Sequence, residues 1–240
     1  MSNTLTTIGF DADDTLWHNE RFFALTQERF SDLLADHTDR GTLMARLLEA
    51  ERRNLPHYGF GIKGFTLSMI ETAVEVTEGR VSASVIAQLL DAGRDMLSHS
   101  VDLLPHAAET IEALRHNYKV LVITKGDLLD QERKLAQSGL RDLFHGIEIV
   151  SAETPDTYAR IFSQHGTGAD QGLMIGNSMA SDVIPMINAG GWGVYIPHGL
   201  TWEIEHAPTP DHSKFHKISI LSVLPPLIQT LTNGDTNAPS

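Results

Sequence analysis

With 240 residues, 41% of them hydrophobic and 20% charged, the chain has the size and composition of a globular protein with a real core, either one large domain or a core with an insertion. The absence of cysteine excludes disulfides, thiolate metal sites and cysteine nucleophiles, and fits a reducing compartment. A net charge of −13 argues against nonspecific nucleic-acid binding, so an anionic substrate requires a locally positive site or a bound cation.

The opening residues, MSNTLTTIGFDADDTL, carry no positive n-region and no long apolar run before a small-residue cleavage site. No stretch approaches the ~18 apolar residues of a spanning helix, so a cytoplasmic protein without a membrane partner is expected. Thr6 to Phe10 reads as the first strand. A long segment follows in which Arg21 to Leu34, Thr42 to Arg53, Phe65 to Thr77 and Ser84 to Leu97 carry helically spaced apolar residues. Between the second and third of these, residues 54–64 read as a Gly/Pro-broken loop. Pro105 marks the return to the core.

From there strands alternate with helices: helix Ala107 to Arg115, strand Lys119 to Ile123, helix Leu128 to Leu140, then strands Ile147 to Val150, Leu173 to Ile175 and Gly193 to Ile196. Strands of this kind, apolar on both faces, predict an α/β fold with a doubly wound parallel sheet covered on both sides. The helical excursion reads as a second small domain at 18–102, inserted into a core made of 1–17 and 103–240. No internal repeat is visible, and the polar C-terminal NGDTNAPS reads as frayed.

Three segments carry chemistry. In Ile8-Gly9-Phe10-Asp11-Ala12-Asp13-Asp14-Thr15-Leu16 an apolar strand ends in three acids within four positions. Ligands of open α/β sheets bind beyond the carboxyl ends of the strands, and the alternation of Asp11 and Asp13 lets both carboxylates converge on one side. Close like charges need a counter-ion; Mg²⁺ accepts a few carboxylates plus water and phosphate at ~2.0–2.1 Å. The alternative is a solvated turn with a helix cap.

In the second segment, the strand from Lys119 ends in Thr124-Lys125-Gly126-Asp127, where a hydroxyl and backbone N–H groups can hold a phosphoryl oxygen, or where a plain strand-to-helix turn stands. In the third, Leu173-Met174-Ile175 runs into Gly176-Asn177-Ser178, and Asp182 follows as a site carboxylate or a helix cap.

Asp11-Ala12-Asp13-Asp14-Thr15-Leu16 resembles the first motif of the haloacid-dehalogenase-like (HAD) hydrolases. Thr124 and the Gly176-to-Asp182 segment stand where that family has its second and fourth motifs, in order and on the right elements; the resemblance covers residues 5–16 and 105–200. It implies a Rossmann-like core with a helical cap between the first and second motifs. It assigns Asp11 as the nucleophile that forms an aspartyl-phosphate and Asp13 as general acid/base. Mg²⁺ would be held by Asp11, by Asp13 through its backbone carbonyl, by Asp182, and by Asn177 through its carbonyl oxygen or a metal-bound water. Thr124, Lys125 and Gly126 would contact the phosphate.

Dehalogenases proper lack the second aspartate of the motif, so Asp13 points to phosphoryl chemistry. The resemblance thus implies a Mg²⁺-dependent phosphatase, monomeric or homodimeric, acting on a small phosphorylated metabolite. Cap closure would exclude water.

The family's third motif is a lysine after the third core strand. In Ile149-Val150-Ser151-Ala152-Glu153-Thr154-Pro155-Asp156-Thr157-Tyr158, Glu153 stands in its place, and a carboxylate there repels Asp11, Asp13 and a phosphate. Three explanations remain open: Lys125 or Lys134 supplies the charge from another direction, the motif lies a turn away, or the chain is a weakened or inactive binding or regulatory member. A phosphomutase would use the same aspartyl-phosphate.

Other features are read as structural. The twelve histidines show no His-x-x-x-His spacing on a predicted helix, which favours surface and capping roles. Trp17 and His18 read as a hinge or entry, Trp192 and Trp202 as packing, and His57, Tyr58, Phe60 and Lys63 as a solvated or specificity loop. Ser178 and Ser181 lack a His/Asp partner arrangement, and Gly190-Gly191 is no dinucleotide fingerprint.

Overall fold

The structure is a computed structural model that describes residues 5–233. The tail read as frayed lies outside the described residues from 234 onward.

In chain order the elements are β1 (Thr7–Phe10), α1 (Glu20–Leu33), α2 (Arg40–Tyr58), α3 (Ile62–Val76), α4 (Ala83–Ser98), α5 (Ala107–Arg115), β2 (Lys119–Lys125) and α6 (Leu128–Ser138). They continue with β3 (Gly146–Val150), α7 (Pro155–His165), β4 (Gly172–Gly176), α8 (Ile184–Asn188), β5 (Trp192–Tyr195), β6 (Phe215–Lys217) and α9 (Leu224–Asn233). Short 3₁₀ turns and one π-helical turn, Met179–Val183, join them. The six strands form one parallel sheet of order β3-β2-β1-β4-β5-β6, the doubly wound α/β arrangement expected.

Successive side chains of a strand face opposite sides, which explains the continuous apolar runs. Ile8, Phe10, Val120, Val122, Leu173 and Ile175 pack on one face with α5 and α9. Leu121, Ile123 and Met174 pack on the other with Tyr158 and Phe162 of α7 and Met186 of α8. β1 is central, with Phe10 in register with Val122 of β2 and Ile175 of β4. The chain leaves β1 toward β2 and β3 on one side and returns to β4 on the other, so the strand order reverses beside β1. That is the crevice where such sheets bind ligands.

The described residues divide into two compact units, 5–20 with 101–125 and 132–233, and 21–100 with 126–131. The second is helical and has its own core, built around Phe30, Leu43, Leu47, Phe65, Met69 and Met96. α2 and α4 start on polar caps: Asp39 accepts the Thr42 N–H at 3.0 Å, and Ser82 accepts that of Val85 at 3.2 Å.

The loop expected at 54–64 is shorter, because α2 runs through Pro56 to Tyr58 and α3 begins at Ile62. Polar ties override the proline: the buried Asn54 donates through Nδ2 to Ser68 Oγ and Glu71, at 3.1 and 2.7 Å, while on the surface Arg53 pairs with Glu71 and Glu75. The break is left to Gly59 and Gly61, whose φ values of 71° and 114° are open to glycine. Among the described residues no helix is long and apolar enough to cross a membrane.

Candidate active site

The three acids after β1 fold into different environments. The Asp11 N–H still donates to the Ile175 carbonyl of β4 at 2.9 Å, so its side chain projects from the sheet's carboxyl edge. Thr15 Oγ1 donates to Asp11 Oδ2 at 3.0 Å and accepts the Asn177 N–H at 3.1 Å, tying the β1 turn to the β4 turn. Asp14 takes φ 59°, a conformation aspartate tolerates, and accepts the N–H groups of Asn19 and Glu20 at 2.8 and 2.9 Å. It therefore caps the start of α1.

The Asp13 carboxylate turns to Lys134, whose Nζ lies 2.7 and 2.6 Å from its two oxygens, and accepts the Trp17 Nε1–H at 2.7 Å. Trp17, read as a hinge or entry, is instead fully buried in the core.

Around Asp11 oxygens accumulate. One end of the Asn177 carboxamide lies 3.1 Å from both Asp11 Oδ2 and the Asp13 backbone carbonyl; in the metal-free chain its NH₂ faces them and donates to both. Turned over, the amide presents its oxygen at the same point, and adjacent ligands of an octahedral ion with ~2.0–2.1 Å bonds are about 3 Å apart. Beside this point the carboxylates of Asp11, Glu153 and Asp182, all buried, each bring an oxygen within 4.8 Å of the others. Asp182 Oδ2 accepts the Ser178 N–H at 2.8 Å, whereas Asp182 Oδ1 and Glu153 Oε1 are buried without a hydrogen-bond partner. Unsatisfied buried acceptors are costly, and a cation satisfies them.

Asp182 reaches this place from the π-helical turn 179–183 through a close approach to Gly176, where a Cβ would lie 2.1 Å from Asp182 Oδ2. Burial, then the charges of Asp182 and Glu153, push the Asp11 carboxyl well above the ordinary carboxylate value against the pull of Lys125. Burial, then Glu153, push the Asp182 carboxyl up in the same way.

The positive charge comes from the last residue of β2. Lys125 Nζ lies 2.9 Å from Glu153 Oε2 and 3.1 Å from Glu205 Oε1. Burial opposes its charge, but Glu153 and Glu205, with Asp182 and Asp11 behind them, hold the ammonium well above the ordinary lysine value. Glu205 also accepts the hydroxyls of Ser178 and, at 2.6 Å, Ser181, so it clamps Lys125 to the turn that carries Asp182. Four acids, Asp11, Glu153, Asp182 and Glu205, thus surround one lysine. That surplus of negative charge requires protons or a further cation.

The structure therefore brings together Asp11, the Asp13 carbonyl, Asn177, Asp182 and Lys125. Thr124 is buried at the penultimate position of β2. Gly126 follows the strand with φ 142° and groups with the helical unit. Glu153 does face Asp11, but its charge is met by Lys125, and Lys134 serves Asp13 instead. Sequence reading missed Glu205 and the bridging role of Thr15. Thr15 had a signal in its position within the first motif; Glu205, in a short 3₁₀ turn, had none.

A family model described as haloacid dehalogenase-like hydrolase matches residues 5–190. No curated protein matches the chain. Among solved structures, a haloacid dehalogenase-like family hydrolase from Xanthomonas campestris is 40% identical, with 96% of this chain and 93% of that chain covered and a TM-score of 0.87. Two more distant structures share the fold. The Bacillus subtilis protein YfnB, assigned as a HAD-hydrolase and bound to magnesium, is 17% identical, with 94% and 99% covered and a TM-score of 0.65. The L-2-haloacid dehalogenase of Xanthobacter autotrophicus with chloropropionic acid covalently bound is 17% identical, with 94% and 99% covered and a TM-score of 0.64. A doubly wound sheet with acids gathered at the carboxyl end of its central strand, matched over most of its length by one family model, makes this chain a member of the haloacid dehalogenase-like hydrolases.

Proposed function

We propose that this hydrolase is a Mg²⁺-dependent phosphatase that cleaves a small phosphate monoester through an aspartyl-phosphate on Asp11. The observation that carries the reading is the oxygen surplus around Asp11, with two orphaned buried carboxylate oxygens and an amide end 3.1 Å from two more oxygens. An all-oxygen donor set suits a hard cation such as Mg²⁺. Asp11, the Asp13 carbonyl, Asp182 and Asn177 would hold it, and the magnesium-bound relative is consistent with that choice. When bound, the ion supplies charge neutralisation for the phosphoryl oxygens.

Asp11 attacks phosphorus in line, and its carboxylate becomes the acyl phosphate as the P–O bond to the leaving group breaks. Asp13 gives a proton to the leaving oxygen and then takes one from the water that hydrolyses the acyl phosphate. Lys134 and Trp17 orient the ionised carboxylate that serves as base, and the protonated form that serves as acid gives up one of the two Lys134 contacts. Thr124, Lys125 and Gly126, at the end of β2, orient the phosphoryl group, with Lys125 as the fixed charge in place of the family's third-motif lysine. Cytoplasmic location and a small metabolite as partner belong to the same reading.

Glu153 beside Asp11 favours a second reading, a member of the fold that binds phosphorylated ligands and has lost turnover. One assay separates these and the dehalogenase alternative. Wild type is expected to release phosphate from p-nitrophenyl phosphate with Mg²⁺, to lose that activity in EDTA, and to lose it entirely as Asp11→Asn. Release of chloride from 2-chloropropionate without any phosphatase activity would assign it to dehalogenation. Inactivity on both, with Mg²⁺ still bound, would favour the binding protein.

A further inference from the structure

We propose that Asp14, His18 and His198 form a second metal site, selective for a transition-metal ion of the zinc type and separate from the carboxylate site around Asp11. One ligand atom from each of the three lies within 4.8 Å of the other two. They come from the turn after β1 and the loop after β5, so the fold and not local sequence brings them together. His18 Nδ1 and His198 Nε2 are 3.4 Å apart, with the rings crossed at 63°. Four-coordinate ligands with ~2.0–2.1 Å bonds to zinc stand about 3.4 Å from one another.

The protons are arranged for it. His198 Nδ1 lies 3.0 Å from the Leu200 carbonyl, which can only accept, so Nδ1 carries the hydrogen and Nε2 keeps its lone pair facing His18. The Leu200 N–H approaches the same Nδ1 only at 3.4 Å. A ring N–H donated to a backbone carbonyl is the usual outer support of a metal-ligating histidine. Asp14 is fixed equally well, because its carboxylate accepts two backbone N–H groups. The side chains of His198 and Asp14 are 14% and 5% exposed, so the group is preorganised and not a chance meeting of mobile surface residues.

Two imidazoles and one carboxylate favour Zn²⁺, Co²⁺ or Ni²⁺ over Mg²⁺. Three protein ligands leave a position for water or an exogenous ligand, as in catalytic zinc sites and unlike closed structural ones.

Co²⁺ is the probe. The full-length chain, stripped of metal and then saturated with Mg²⁺ to fill the carboxylate site, is titrated with Co²⁺ and followed by its visible d–d absorption. Wild type is expected to bind one equivalent with the intense bands of a low-coordinate, nitrogen-ligated ion, which Zn²⁺ then displaces. His18→Ala and His198→Ala are each expected to weaken binding by roughly a hundredfold or more and to lose the bands. Asp182→Asn, in the other site, is expected to keep them. Absent bands in wild type, bands that survive both histidine substitutions, or bands lost with Asp182→Asn would overturn the assignment. The histidines are the test positions because Asp14 also caps a helix, and circular dichroism of each variant checks the fold.

Discussion

Lys125 brings one ammonium among Asp11, Glu153, Asp182 and Glu205, and its two direct partners are not equivalent. Burial pushes the Glu153 carboxyl up even with Lys125 beside it. Burial also works against Glu205, yet Lys125 and the two serine hydroxyls hold that carboxyl below its ordinary value. Removing the lysine strips four acids of their counter-charge. Lys125→Met is therefore expected to destabilise the metal-free chain by about 3–5 kcal/mol, as for a broken buried pair, read from urea denaturation.

Glu153→Gln should behave in the opposite way. It keeps an acceptor for Lys125 and removes one repelling charge, so the metal-free midpoint should rise or stay level while Mg²⁺ affinity falls. A large loss of stability in Glu153→Gln would show that the charge surplus has been misjudged. The acids at the strand ends were legible in the sequence because abrupt carboxylates after an apolar run stand out locally. Of the Lys125–Glu153–Glu205 cluster the sequence offered Lys125 only beside Lys134 as a counter-charge and Glu205 not at all, since ion pairing between distant residues leaves no local pattern.

At the scale of elements, the turn between β4 and α8 decides where Asp182 sits. Gly176 ends β4, and the missing side chain leaves the space that the Asp182 carboxylate fills. Gly176→Ala would set a methyl 2.1 Å from Asp182 Oδ2, so the π-helical turn must shift. Overpacking of this kind costs about 1–3 kcal/mol. A thermal melt should show that loss, and Mg²⁺ titration by calorimetry should show affinity falling with it; unchanged Mg²⁺ binding would remove Asp182 from the ligand set.

The strands of the sheet interior could be read from sequence because both their faces are buried. β6 could not: Phe215-His216-Lys217 is a half-exposed edge strand with no apolar run. The Gly/Pro signals at 54–64 overstated the loop, because the buried polar ties of Asn54 hold that stretch helical.

The whole molecule should register the buried acids through pH. Asp11, Asp14, Asp182 and Glu153 have raised folded values, so the folded metal-free chain holds protons that the unfolded chain has released. Stability is then greatest below the unfolded carboxylate value and is lost as pH rises through the folded values. The lowered carboxyls of Asp39, Glu71, Asp127 and Glu205 act in the opposite sense, but below the ordinary value near ~4. His216, lowered by burial, opposes the trend up to about pH 6.5 as one group against four.

In EDTA the melting temperature is therefore expected to fall between about pH 5 and about pH 8, and added Mg²⁺ should raise it more at the higher pH, because cation and proton compete for the same oxygens. A melting temperature that climbs over this range in EDTA would contradict the raised values.

The position of β1 bears on biosynthesis. It forms the middle of the sheet, flanked by β2 and β4, yet it is the first of the three to leave the ribosome. Residues 7–10 emerge before either flanking strand has been translated, and β4 begins only at Gly172. The nascent chain therefore carries an apolar segment without either flanking strand until β2 is made about halfway through, and with only one of them until β4 follows. The acids that meet at the sheet edge cannot assemble until that late strand arrives.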